Sequence, residues 1–107
     1  ALFLAERVDE TRMMQALQWA YGETGQLIDP HSAVGLAAAR RRETELGGPI
    51  VTLATAHPAK FPDAVERASG FRPLLPRRVA HLFDRQERYD RLPADAEALK
   101  TYIRSKA

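Results

Sequence analysis

Two short stretches of this 107-residue chain concentrate groups able to do chemistry. Thr55-Ala56-His57-Pro58, with Lys60 just beyond, offers a hydroxyl, an imidazole and a cation. Asp29-Pro30-His31-Ser32 offers a carboxylate, a second imidazole and a second hydroxyl. Each has a plain structural use as well, since Asp29 suits a helix N-cap and Ser32 can satisfy a first-turn backbone group. His31, His57 and His81 show no i, i+4 ligand spacing, so no metal site is expected. A Ser-His-Asp set can be written from Ser32, His57 and Asp29, but the glycines of a nucleophile elbow are absent. No Walker or dinucleotide phosphate loop occurs, and Gly47-Gly48 reads as a turn. The absence of cysteine removes thiol catalysis, disulfides and Cys-based zinc sites, and it fits a reducing, cytoplasmic compartment.

The elements that must position these groups can be read from pattern. Asp9 is placed to cap a helix whose Met13, Ala16, Leu17, Ala20 and Tyr21 share one face at i, i+3, i+4, i+7 and i+8. Gly22 and Gly25 offer its stop. Asp29 and Pro30 form a strong start for a second helix. That helix carries Ala33, Val34, Leu36, Ala37, Ala38 and Ala39, with Arg40 to Arg42 expected at its end. Phe3 to Val8 is a weak candidate edge strand. Ile50-Val51-Thr52-Leu53-Ala54 is a continuous apolar run, the pattern of a parallel strand covered on both faces. Pro62 starts a helix through Ala64, Val65 and Ala68 that Gly70 ends. A short helix is expected around Val79, Leu82 and Phe83, and a final one places Leu99, Tyr102 and Ile103 on one side. In open parallel sheets ligands sit beyond the carboxyl ends of strands, which here selects Thr55 to Lys60.

Composition bounds the function. Hydrophobic residues make up 45% and charged residues 28%, the balance of a folded chain. No apolar run approaches the roughly 18 residues of a membrane span, and Ala1 to Arg7 lack signal-peptide character. Thirteen arginines and three lysines face 14 acidic residues, for a net charge of +2. The one basic run, Arg40 to Arg42, is followed at once by Glu43 and Glu45, so a solvated helix face is expected over a nucleic-acid footprint. A single buried-type strand cannot make a sheet. With the start at Ala1, the expectation is a piece of a larger α/β protein.

The sequence Gly25-Gln26-Leu27-Ile28-Asp29-Pro30-His31-Ser32-Ala33-Val34-Gly35 resembles the Asp-Pro-His-Thr-Ala-Val-Gly block of the threonine synthase family. Thr52-Leu53-Ala54-Thr55-Ala56-His57-Pro58-Ala59-Lys60-Phe61-Pro62 is similar to that family's Thr-Ala-His-Pro-Ala-Lys-Phe block. Leu74-Leu75-Pro76 and Leu92-Pro93-Ala94-Asp95 resemble the tail that follows, so the likeness runs from about Phe3 to the last helix. Ser32 stands where threonine is frequent, keeping the hydroxyl.

The resemblance implies a fold and an activity. Residues 1–107 are expected to be the C-terminal part, an incomplete domain, of a tryptophan-synthase-like α/β fold, mostly helical with one or two strands. The intact parent would be a pyridoxal-phosphate-dependent lyase of threonine biosynthesis, converting O-phospho-L-homoserine and water to L-threonine and phosphate. Its Schiff-base lysine and phosphate loop belong to the N-terminal remainder of the enzyme. Lys60, Lys100 and Lys106 do not match that lysine. No catalytic residue is therefore expected in this chain, which alone would be inactive. Thr55 matches the cofactor-binding residue that faces the pyridine nitrogen, while His57 and Lys60 either lie close to the site or brace its turn. No nucleic acid and no membrane are expected as partners. A small basic helical module binding nucleic acid or protein is the alternative, resting on the Ala-rich helix and Arg40 to Arg42. A different lyase of the same fold type is a third, disfavoured by the His-Pro-Ala-Lys-Phe block.

Overall fold

Aspartates start three of the four α-helices found among the described residues. The computed structural model describes residues 3–107, so Ala1 and Leu2 of the expected 1–107 span lie outside it. Asp9 caps α1 (Glu10–Thr24), its carboxylate accepting the Arg12 N–H at 2.9 Å. Asp29 caps α2 (Pro30–Leu46), with Pro30 at the first position, where a missing N–H costs nothing. Asp95 caps α4 (Ala96–Lys106) through the Ala98 N–H at 2.8 Å. The exception is α3 (Pro62–Ser69), which starts on Pro62 without a side-chain cap and stops at Gly70, whose φ of 76° only glycine adopts without strain. No helix among the described residues is long and apolar enough to cross a membrane.

The chain divides into two compact units, the first reaching to Arg77 and the second spanning Arg78–Ala107. In the first, α1 packs against both α2 and α3. Ala16, Leu17 and Ala33 form the buried contact, with Met13, Met14, Ile28, Ala37 and Ala68 packed around it. Val65 of α3 is fully buried, and Ala20 of α1 nearly so. The expected α1 face is thus the one that packs. Its alanines let helix axes approach, but they bury little apolar area each, so the core is thin. Arg67 pairs with Glu10 at 3.1 Å across α3 and α1, and the Tyr21 and Phe71 rings meet at 5.2 Å. Arg72 folds the chain after Gly70 back onto α3, reaching Asp63 at 2.9 Å and Glu66 at 2.6 Å.

The expected strands are absent among the described residues, and the described chain is helical with irregular connections. Phe3 to Val8 runs unpaired beside α2, held by Glu6, whose carboxylate pairs with Arg41 at 2.7 Å and accepts from Arg42 at 2.9 Å. Ile50 to Ala54 makes no backbone–backbone hydrogen bond among the described residues. A strand requires a ladder partner, and the described residues supply none. Val51 and Leu53, expected to be covered, are 85% and 74% exposed. The run lies instead along α2, where a Cβ on Gly35 would meet Thr52 Cγ2 at 3.1 Å. A side chain at that position would push Thr52 away by a few tenths of an ångström.

Two further expectations are corrected. Arg40 to Arg42 do not end α2, which continues to Leu46 and stops at Gly47. Arg40 lies 3.7 Å from the Trp19 ring centre, so the basic run holds the unit together. The segment around Val79, Leu82 and Phe83 forms two 3₁₀ turns, Arg77–Val79 and Leu82–Asp84, and Leu82 and Phe83 are exposed. With His81-Leu82-Phe83 followed by a charged stretch, too few apolar residues recur to sustain a longer helix. In the second unit, α4 buries no residue fully. Asp90 accepts the Tyr102 hydroxyl and lies 3.7 Å from Lys106, and the Tyr102 bond to this carboxylate holds the phenol above its ordinary pKa.

Leu17→Ala is expected to destabilise the first unit by about 2–5 kcal/mol, the usual cost of emptying a buried leucine site. Leu53→Ala should shift stability by no more than about 0.5 kcal/mol, because its side chain already faces water. Urea midpoints of the two variants of this chain check the contrast.

Candidate functional site

The two stretches singled out from the sequence come together at the N-terminus of α2. Asp29 is fully buried, and its carboxylate accepts from both His31 and Ser32. Oδ1 accepts the His31 N–H at 2.9 Å and lies 3.1 Å from His31 Nδ1. Oδ2 accepts the Ser32 N–H at 3.4 Å and the Ser32 hydroxyl. No buried side-chain nitrogen or oxygen among the described residues lacks a partner. Burial alone would push the Asp29 pKa up, but the donors from Ser32 and His31 outweigh it and hold the carboxyl below its ordinary value.

An ionised carboxylate only accepts, which fixes the direction of each bond around it. Ser32 must spend its single O–H on Asp29, leaving its lone pairs free. One of them accepts the Thr55 N–H at 3.0 Å, across 23 residues of sequence. His31 likewise donates from Nδ1, the only role an acceptor-only carboxylate leaves it. The His31 ring packs on Phe61 at 4.8 Å between centres.

Beside this relay lies a cleft of about 530 Å³ lined by His31, Thr55, Ala56, Lys60 and Phe61. Thr55 is bound through its main chain, and its hydroxyl has no partner among the described residues. Lys60 reaches no carboxylate among the described residues, and its ammonium lies 5.9 Å from the centre of the Phe61 ring. No carboxylate among the described residues lines the cleft, and that of Asp29 is buried behind Ser32. The arrangement offers an uncommitted hydroxyl, a cation and an imidazole at a rigid helix start. A heteroaromatic ligand that needs a neutral donor fits such a wall.

Of the residues anticipated from sequence, Thr55, Lys60 and His31 share the cleft, with Asp29 behind them. His57 turns to a bracing role, its Nδ1 accepting the Ala59 N–H at 3.1 Å to cap the 3₁₀ turn Pro58–Lys60. Ser32 does more than serve its own first turn, since it carries the link to Thr55. Phe61 was not singled out as a site residue, and Gly35 was read only as part of a block. The adjacency of the two motif blocks hinted at these contacts, but no linear spacing encodes a pairing 23 residues apart.

Comparison with known proteins gives a consistent result. Residues 32–103 match the family described as "Threonine synthase, C-terminal". A threonine synthase of Pseudomonas aeruginosa is 41% identical over 103 residues, covering 95% of this chain and 22% of that protein. One from Corynebacterium glutamicum is 43% identical over 77 residues, covering 72% of this chain and 16% of its own length. Among solved structures, a PLP-bound threonine synthase from Brucella melitensis superposes with a TM-score of 0.71 at 39% identity, over 87% of this chain and 20% of that one. The chain therefore spans about a fifth of the length of the proteins it matches.

The lowered Asp29 pKa makes a prediction about acid. The stabilisation from the ionised carboxylate is complete above about pH 4, the unfolded-state value, and is lost as pH falls through the lower folded-state value. Asp29→Asn should lower the urea midpoint at neutral pH, and the gap between variant and native chain should narrow as pH falls below about 4.

Proposed function

The chain belongs to the threonine synthase family, matching the C-terminal part of its members, and we propose that it completes the cofactor pocket of such an enzyme through Thr55. Residues 1–107 are then an incomplete domain whose partner is the N-terminal remainder of the enzyme. The reaction is conversion of O-phospho-L-homoserine and water to L-threonine and phosphate. Pyridoxal phosphate, when bound, supplies the electron sink for that chemistry. The Brucella relative is a PLP-bound enzyme, which supports the same cofactor here.

The observation that carries the reading is the Thr55 hydroxyl, uncommitted among the described residues and set on a cleft that no described carboxylate lines. Such a hydroxyl can donate to the lone pair of a pyridine nitrogen without transferring its proton. A carboxylate at the same place would favour the protonated ring and strengthen the sink. Thr55 thus keeps the ring neutral and biases which proton losses from the substrate are favoured. Asp29 is negative but stays out of the cleft, since Ser32 stands between it and Thr55. Lys60 keeps the wall positive, which suits an anionic substrate.

The need for a remainder is supported by the exposed apolar run. Val51 and Leu53 lie bare in this chain, a pattern expected of a segment that another part of the protein covers. The arginines that suggested a nucleic-acid module are engaged internally by Glu6, Glu45 and Trp19, so no nucleic-acid partner is proposed. The cysteine-free sequence supports a cytoplasmic setting.

The intact enzyme carrying this sequence is expected to release phosphate from O-phospho-L-homoserine and form threonine only when supplied with pyridoxal phosphate, and this chain alone should do neither. In the intact enzyme, Thr55→Val should shift the absorbance of the bound cofactor and lower turnover. An unchanged spectrum with full turnover would refute the role given to Thr55. Leu53→Ala, neutral in the separate chain, should cost about 2–5 kcal/mol in the intact enzyme, where the side chain is covered.

A further inference from the structure

Thr55 must be held as well as present, and its own side chain cannot do the holding if it is to face a ligand. The main chain around it offers little. Residues 50–55 make no backbone–backbone hydrogen bond among the described residues, and the turn that follows begins only at His57. Among the described residues, the single hydrogen bond that ties Thr55 down runs from its N–H to Ser32 Oγ at 3.0 Å. Ser32 is itself almost wholly buried, at 4% exposure, and its hydroxyl is oriented by a carboxylate with no exposure at all. A buried acceptor-only group leaves the serine proton one destination, so the lone pair facing Thr55 is fixed in direction. The close approach of Thr52 to Gly35, one helical turn along α2, sets the same run from a second point.

We infer that Ser32, oriented by Asp29, is a positioning residue for the reaction: it fixes the Thr55 main chain so that the Thr55 hydroxyl meets the cofactor ring. This rests on the role proposed for Thr55. Ser32 touches neither substrate nor cofactor. Its substitution should therefore show in the electronic state of the ring and in turnover, with little effect on substrate binding.

The test uses the intact enzyme loaded with pyridoxal phosphate. Ser32→Ala should move the cofactor absorbance in the same direction as Thr55→Val and lower kcat about tenfold, the scale of one lost hydrogen bond, with KM for O-phospho-L-homoserine nearly constant. Ser32→Thr, which returns the hydroxyl, should restore the spectrum that Ser32→Ala loses. Amide hydrogen exchange on the unaltered enzyme supplies a reading that needs no variant: the Thr55 N–H should exchange at least about tenfold more slowly than an unpaired amide. A Ser32→Ala enzyme with the original spectrum and kcat overturns the inference, as does a Thr55 amide that exchanges as fast as an unpaired one. If Thr55→Val shifts the spectrum and Ser32→Ala does not, the positioning role alone fails. If Thr55→Val shifts nothing, the reading beneath it has failed instead.

Discussion

A single buried carboxylate organises the part of this chain that matters for chemistry. Moving an isolated carboxylate out of water costs several kcal/mol even after relaxation, so Asp29 is tolerable only with its lone pairs occupied. The start of α2 supplies that occupation, because the first N–H groups of a helix have no partner within it. His31 and Ser32 present both their backbone and side-chain donors to the same group. A cap thus becomes a hub, and the segment bearing Thr55 hangs from it through one serine. Remove the charge and the direction of every bond outward from it becomes optional.

The helices were legible because their signals are local. Asp9 and Asp29 announce starts through donors two or three residues away, and Gly25 and Gly70 announce stops through a positive φ. The face of α1 followed from period alone. The run Ile50 to Ala54 misled because its composition describes a strand between neighbours, and pairing depends on partners that the run itself does not specify. The length of α2 was underread for a related reason. Three arginines look like a helix end, but Arg41 and Arg42 reach Glu6 and Arg40 reaches Trp19, partners more than twenty residues away in sequence.

The site divides along the same line. Thr55, Lys60, Asp29 and His31 were visible as residue types, and their motif blocks gave them a family. Their joint geometry was not visible, because it rests on Ser32 reaching Thr55 and on His31 meeting Phe61. Sequence alone also could not separate His57 from Lys60. The first spends its Nδ1 on capping a 3₁₀ turn, and the second stays on the cleft wall.

The Gly35 contact has a consequence for how this region can vary over evolution. The Thr52 methyl against Gly35 and the Thr55 amide on Ser32 pin the same run at two points on α2. Between the end of α2 and that run lies only Gly47-Gly48-Pro49, all three exposed. Insertions there lengthen a loop and leave both pins in place, at the small entropic cost of a longer closure. A single deletion between Thr52 and Thr55 forces one pin to be abandoned. Length polymorphism among relatives should therefore concentrate at the glycine pair and stop abruptly at Thr52.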